Sequence, residues 1–436
     1  MALCVCVFSI AMMGAPATAD IGDDNSSTFT IDFGDYGIVF QKQNGYDVCA
    51  IGYTGTPVNV DLPSQVEYDG NTYMVASMSS TFLKCKTLET FRGGYGQDWL
   101  DVDIFVFYEC TSLRTVEFGP SIRYIHYYAL LECTSLESYS MPEGSIWNYY
   151  SVDDGVLMIN ETMMESGPAI FKYPANKATK EYHVPDYVKT ILANSFDYAF
   201  NLEKVILNEG VEKIEAGAFH GCVALEAFEI DGDNPNFEVL DGVLYMEGLE
   251  ELLCYPAGRT ARVFDMPDSV MIILDYAFFR NVHLVEVLFS SNLKAVGFEA
   301  FNSAQSLKRV VLPEGTMSIG ENCFTLATNL RYVSLPSTME VIGAYLFRGC
   351  TSLSVVQNAS DLPLSSMHFV ESKRTFYYYQ DSLHMEQHDD PQEMYGDIYV
   401  LRSLPDDSQS YTITASVVIA VVAIILIVSM LVRVKN

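Results

Sequence analysis

The sequence predicts an elongated solenoid of stacked coils, and three observations predict it. An aliphatic residue, a phenylalanine and a leucine recur as a set every 23 residues. A short run of alternating apolar and polar residues follows each leucine, and a proline often closes that run. A fixed period of roughly 20 to 50 residues marks an array of stacked units, each too small to bury its own apolar face.

The register is clearest between Val270 and Val356, where Ile273–Phe278–Leu284, Val296–Phe301–Leu307, Ile319–Phe324–Leu330 and Ile342–Phe347–Leu353 follow at a constant step. Upstream lie Ile191–Phe196–Leu202 and Ile214–Phe219–Leu225, and before them Val102–Phe107–Leu113 and Ile125–Leu130–Leu136. A degenerate copy with Phe82 and Leu88 completes about nine units. In Leu330-Arg-Tyr-Val-Ser-Leu335, alternation puts Val333 and Leu335 on one face and Tyr332 and Ser334 on the other, as in a half-buried strand. Pro313, Pro336, Pro185 and Pro267 end such runs because proline offers no ladder donor. The short link Ile319-Gly-Glu-Asn-Cys-Phe324 predicts a turn or a single helical turn. One strand and one return per unit give a curved parallel β-sheet lining a solenoid.

The pattern Ile-x-x-x-x-Phe-x-x-Cys-x-x-Leu-x-x-Val-x-Leu-Pro resembles the BspA-type (Treponema-type) leucine-rich repeat over about residues 75–357. That resemblance implies a leucine-rich-repeat surface protein acting in adhesion or host-molecule binding; the repeat by itself indicates only architecture.

The flanks fit such an array. Residues 1–19 read as a signal peptide, with an apolar run from Ala2 to Ala15 and a small-residue site at Ala17-Thr-Ala19, although no basic residue precedes the run. Residues 20–74 hold strand-like runs at Thr28–Phe33, Ile38–Gln41, Tyr46–Tyr53 and Tyr73–Ala76, a β-rich cap over the first coil's apolar end. The repeats then occupy residues 75–143, 184–230 and 266–357. Between them, residues 144–183 and 231–265 form related hairpin insertions. Asp154-Gly-Val-Leu157 with Tyr173-Pro-Ala175 mirrors Asp241-Gly-Val-Leu244 with Tyr255-Pro-Ala257. Each insertion reads equally as a spacer or as a binding decoration on one face.

Residues 358–411 read as a C-terminal cap and acidic stalk. Residues 412–432 include eighteen without a charge, Ala415–Val432, enough to cross the hydrocarbon core as a single transmembrane helix. Arg433 and Lys435 follow, and Asp406 and Asp407 precede, so residues 433–436 belong in the cytoplasm and the repeats outside. The expectation is a single-pass type I protein of the plasma membrane. Leu404-Pro405 resembles a wall-sorting signal without its Thr and Gly, and a lipid-anchor signal would end apolar rather than basic. Sequons at Asn25, Asn160 and Asn358 fit an outside location and fall beyond the repeat register.

Composition excludes some functions. With 25 Lys and Arg against 56 Asp and Glu, the net charge is −31, which argues against a nucleic-acid partner. Asp231-Gly-Asp-Asn-Pro-Asn236 fails the EF-hand pattern, with Asn236 where Gly belongs and Gly242 where Glu belongs. His384, His388, Asp389 and Asp390 read as solvated stalk rather than a metal site, and no metal or cofactor is expected. The chain has no His-Glu-x-x-His, Gly-x-Ser-x-Gly or Cys-x-x-Cys, so an enzyme is not expected. Cys85, Cys110, Cys133, Cys222 and Cys350 share a slot three residues after the Phe position (Leu130 in one unit) that elsewhere takes Ala199, Asn281, Ala304 or Ala327. A slot accepting Cys, Ala or Asn reads as small and buried, with reduced thiols, although Cys110 and Cys133 lie in adjacent units within reach of oxidation.

What remains is the concave sheet. Its outward positions carry Lys204, Ile206, Ala227, Glu229, Glu286, Leu288, Arg309, Val311, Tyr332 and Ser334. Aliphatics, Arg and Tyr together make a candidate ligand-binding face, since Arg and Tyr are favoured interface anchors. The predicted partner is an extracellular protein or glycan on a host or microbial surface. A non-adhesive surface coat or immune decoy is the alternative.

Overall fold

A computed structural model of the chain describes residues 28–372 apart from 44, 97, 143–145 and 165, together with strands at 376–379 and 399–401. The expected signal peptide and membrane helix, Asn25, and the stalk residues His384, His388, Asp389 and Asp390 lie outside these residues.

The fold is a parallel β-solenoid of about 13 turns of the leucine-rich-repeat type. Among the described residues the only helical elements are two 3-10 turns, Glu247–Leu249 and Ser366–Phe369. Each coil contributes two strands rather than the one expected. The longer follows the aligned leucine, as in Arg309–Val311 and Tyr332–Leu335. The shorter carries the aliphatic slot: Leu252, Ile273, Val296, Ile319 and Ile342 pair in parallel from coil to coil. Between the longer strands, Phe264, Val287, Val310, Val333 and Val356 form one inward column, the last four of them buried.

The phenylalanines form a single file. Ring centroids of Phe278, Phe301, Phe324 and Phe347 follow at 4.5, 5.5 and 6.0 Å with near-parallel planes. Every second amide around this slot donates to the next coil; Phe301 N reaches Cys323 O at 2.9 Å and Ser303 N reaches Thr325 O at 2.8 Å. The chain turns here without helix because the residues two before and two after the phenylalanine are left-handed. Asn322 and Leu326 (φ 55° and 58°) flank Phe324, and Glu299 and Ser303 (φ 50° and 60°) flank Phe301. A right-handed helix cannot pass through such positions.

The array reaches further than its aligned triplets. The register continues past Val356, since Phe369 stacks on Phe347 at 5.5 Å and Phe347 N donates to His368 O. At the other end, Asn59–Asp61 pairs with Thr90–Gly93 in the longer-strand ladder, so the cap supplies a coil edge of its own. The cap's Thr28–Asp32, Tyr36–Lys42 and Asp47–Gly55 form an antiparallel meander over the first apolar end, with Phe29, Ile38, Phe40 and Val48 buried.

Both insertions are three-stranded meanders. Tyr150–Asp153 and Val156–Ile159 turn at Asp154-Gly155 (φ 46° and 75°), and Phe237–Leu240 and Val243–Met246 turn at Asp241-Gly242 (φ 50° and 73°). These are two-residue turns with both central residues left-handed, which suit the twist of an antiparallel pair. The third strands, Ala169–Lys172 and Glu251–Cys254, rejoin the short-strand ladder beside Ile191 and Ile273. Tyr173 and Tyr255 then enter the aromatic file, each 5.0 Å from the next ring, Phe196 or Phe278.

The insertions divide the core into three clusters. Val156–Ile159 is buried on both faces: Leu157 and Ile159 pack into the first cluster, Val156 and Met158 into the second. In the second insertion Leu244 faces the middle cluster, while Val243 and Tyr245 face the last.

Candidate ligand-binding face

Alternation on the longer strands sends one residue into the core and the next outward, so the candidate face is two outward rows crossing the last block. One row runs Val263, Glu286, Arg309, Tyr332, Val355. The other holds Asp265 beside Leu288, and Val311 beside Ser334 and Gln357. Val263, Leu288 and Val311 are 50%, 46% and 41% exposed, which makes them the aliphatic part of the face. The Arg309 guanidinium lies 5.5 Å from the Tyr332 ring centroid, and the Tyr332 hydroxyl donates to Gln357 Oε1 at 3.0 Å. A cation held against an aromatic face and a phenol held by a neighbouring strand are thus already ordered.

The middle block's predicted residues form a separate three-strand patch of Glu181–His183, Lys204–Asn208 and Ala227–Asp231. Lys204 lies between two carboxylates, 2.8 Å from Glu229 and 3.7 Å from Glu181. Ile206 does not point at solvent as expected; it is 8% exposed, on the central strand between His183 and Glu229, whose side chains flank it. It is removed from the face.

The sequons fare differently. Asn358 is not outside the register: it pairs with Leu335 in the ladder and is fully buried. Its Nδ2 donates to Leu362 O at 2.7 Å and its Oδ1 accepts from Ser360 N and Oγ, so no space remains for a sugar and that expectation is corrected. Asn160 is half-buried, with Nδ2 turned to Asn148 and Oδ1 accepting from Ser151.

The cysteine slot is small and buried. All eight described cysteines are free thiols, and Cys110, Cys133, Cys222 and Cys350 each donate S–H to the carbonyl of the preceding file residue, Phe82, Phe107, Phe196 and Phe324. Burial pushes the Cys133 thiol up to about 12 and raises the others. A thiol held protonated is a poor nucleophile and a poor metal ligand. Among the described residues no three His, Cys, Asp or Glu side chains converge as metal ligands do. Asn234 of the rejected calcium loop instead ties coils together, donating to Asn208 O and Val211 O.

One polar cluster escaped the sequence reading. Lys172 and Asp197, 6% and 3% exposed, lie 3.6 Å apart, and His220 Nδ1 meets Asp197 Oδ1 at 2.8 Å. Burial opposes the Asp197 carboxylate, but Lys172 and His220 outweigh it and hold its pKa below the usual carboxylate value. Lys172 comes from an insertion strand and the other two from flanking file positions, so the trio clamps the first junction. It is largely enclosed, and Lys172 Nζ also donates to Asn194 O at 2.7 Å, so its groups are spent within the fold.

No curated protein matches the chain. Among solved structures it resembles a leucine-rich repeat protein from Eubacterium ventriosum (17% identity, 80% of this chain and 84% of that one, TM-score 0.47). It also resembles a leucine rich cell surface protein from Faecalibacterium prausnitzii (19%, 79% and 97%, 0.39) and the pneumococcal vaccine antigen PcpA (13%, 86% and 99%, 0.41). The BspA type leucine rich repeat region matches in six copies over residues 76–151, 158–240 and 258–374. These segments span more than half of the sequence, and the chain belongs to the BspA-type leucine-rich-repeat family.

Proposed function

We propose that this protein is a cell-surface adhesin that engages host or microbial protein or glycan ligands through the outward rows of its last block, and that it is not an enzyme. The observation that carries this reading is the exposure of Val263, Leu288 and Val311 beside the ordered Arg309–Tyr332 pair on a continuous parallel sheet. Apolar side chains exposed in register, next to pre-ordered aromatic and cationic groups, are the composition of an interface core. The apolar, charge-bounded segment at residues 412–432 and the preceding acidic flank support display outside a membrane.

The test is binding of the full-length chain to host matrix, mucin and bacterial surfaces. Saturable binding that weakens in Leu288→Asp, Val311→Asp and Tyr332→Ala supports the adhesin. Absence of binding to every surface would overturn it in favour of a non-adhesive coat. Hydrolysis of a bound ligand that survives repurification would overturn the non-enzymatic part.

A further inference from the structure

In a chain with 31 more acidic than basic residues, cations left without a carboxylate are the anomaly, and among the described residues the exposed ones gather in one place, whereas Lys42, Arg280 and Lys294 are half-buried and scattered. The residue after each aligned leucine forms a column just before the longer strands. In the last block that column reads Arg262, Val285, Lys308, Arg331, Ser354. Its coils are joined by Val285 N to Arg262 O at 2.7 Å, Lys308 N to Val285 O at 3.0 Å, Arg331 N to Lys308 O at 2.9 Å and Ser354 N to Arg331 O at 3.1 Å. Arg309 lies beside Lys308 at the start of its strand. Arg262, Lys308, Arg309 and Arg331 are all exposed, and none makes an ion pair among the described residues. Residues 256–263, 281–285, 304–309, 327–332 and 350–355 contain no Asp or Glu.

Earlier blocks treat the same columns in the opposite way. Arg114 pairs with Glu137 at 2.8 Å and Lys180 with Glu203 at 2.6 Å. Lys204, in the column of Arg309, is held between Glu181 and Glu229, and Arg92, in the row that carries Val311 in the last block, is likewise held between Asp61 and Glu117 at 3.1 and 3.0 Å. The fold can neutralise these columns from the neighbouring coil, and in the last block it does not.

From this contrast we infer that Arg262, Lys308, Arg309 and Arg331 form a strip that binds a linear anionic polysaccharide, sulfated or carboxylated; the inference deepens the surface-binding reading and rests on it. Successive coils are ~4.8 Å apart in the ladder, so Lys308 and Arg331 repeat on the scale of one sugar ring, and Arg262 lies two coils before Lys308 across Val285. Guanidinium and ammonium groups make their strongest contacts to sulfate and carboxylate oxygens. The exposed Val282, Leu288 and Val311 border the strip and offer apolar contact to ring C–H edges. Glu286 lies beside Arg309 on the adjacent strand without pairing with it; charges beyond about 8 Å are screened at physiological ionic strength, so the more distant acidic residues do not cancel the local field. A single-stranded nucleic acid is a poorer fit because it needs free aromatic faces for its bases. Here the Tyr332 ring carries Arg309 and its hydroxyl is tied to Gln357.

The test measures binding of the full-length chain to dextran sulfate, polygalacturonate, neutral dextran and polyglutamate across rising NaCl. The expected result is binding to the first two, weakening with salt, and none to neutral dextran. The triple variant K308Q/R309Q/R331Q should lose on the order of 100-fold in affinity, from three charge-assisted contacts removed. Its thermal midpoint should stay near that of the parent, and Lys213→Gln, an exposed residue paired with Glu215, should bind as the parent does. Equal binding by the triple variant, or no binding to either anionic polysaccharide, overturns the strip. Polyglutamate binding as tightly as dextran sulfate overturns the polysaccharide assignment in favour of an acidic polypeptide. If the polysaccharides fail while binding to host or microbial surfaces persists and is lost in Leu288→Asp, only the ligand class falls. If both fail, the adhesin reading falls with it.

Discussion

Replacing Phe324 with alanine tests the aromatic file directly. The ring is fully buried, with Phe301 at 5.5 Å on one side and Phe347 at 6.0 Å on the other. Removing a buried phenylalanine costs about 3–5 kcal/mol, through lost transfer energy and the cavity left behind. Loss of two ring contacts, each worth roughly 0.5–1.5 kcal/mol beyond burial, places this site in the upper half of that range. A stacked array couples mainly to its neighbours, so the damage should concentrate in the last block. The two tryptophans give the means to see this, because Trp99 and Trp147 both lie in the first half of the chain. In urea unfolding followed by circular dichroism and by tryptophan fluorescence, the variant should lower the first midpoint and leave the second near that of the parent. Phe324→Leu should cost less than alanine, since Leu130 occupies the same slot in another coil and is buried there. A cost for alanine below about 1 kcal/mol, or a leucine variant as damaged as the alanine one, would refute the continuous file.

Three further outcomes follow from single contacts. Leu326 is 44% exposed and left-handed at φ 58°, so Leu326→Gly should raise stability by about 0.5 kcal/mol while Leu326→Val lowers it by more than that, both read from thermal midpoints. Lys172→Met leaves the Asp197 carboxylate buried with only His220 and the Glu132 backbone as partners and should cost about 3–5 kcal/mol, whereas adding Asp197→Leu should recover most of the loss in the same melts. His368 is buried with its pKa lowered, and its Nδ1 accepts from Ser365 N at 3.0 Å. A histidine depressed in the folded state stabilises above its unfolded pKa, and that stability is lost as pH falls through the folded value. Hydrogen exchange should therefore show the 358–372 coil opening on acidification before the coils around Phe301, and His368→Gln should flatten that response.

The periodic parts of this molecule were legible because every ordinary coil solves the same packing problem with the same residues. The file from Phe278 to Phe347 is the plain case. Legibility failed where a coil solves the problem differently. Tyr173 and Tyr255 take the phenylalanine slot only three residues after Ile170 and Leu252, against five between Ile191 and Phe196, so a fixed-spacing alignment passes over them. Asn358 resembles a surface sequon in sequence, yet its amide closes a turn inside the register, as Asn208 does by donating to Pro185 O. Ile206 satisfies outward alternation but is covered by its cross-strand neighbours, a property of three strands rather than one. The Lys172–Asp197–His220 clamp joins residues at unrelated spacings, brought together where an insertion meets ordinary coils. In the candidate face the alternation was readable, but the missing carboxylates beside Lys308 and Arg331 acquire meaning only once adjacent columns are known.

The insertions decide where a ligand can sit. Had they been decorations on one face, each hairpin would show one buried and one solvated side. Instead Val156–Ile159 and Ala169–Lys172 are buried at every position, with successive residues facing different core clusters. Such strands have no free surface to offer, and their edge partners Tyr150–Asp153 and Phe237–Leu240 expose only part of one side. The hairpins also interrupt both ladders, so the longer-strand sheet is four strands in the first block, three in the middle and seven in the last. A ligand needing an unbroken sheet with cations unspent on the protein itself therefore has the last block as its place. The first two blocks neutralise their outward rows across neighbouring coils, and the third leaves Arg309 against Tyr332 and Lys308, Arg331 and Arg262 in solvent. The same inserted strands that join the core clusters thereby mark where the paired rows end and the unpaired one begins.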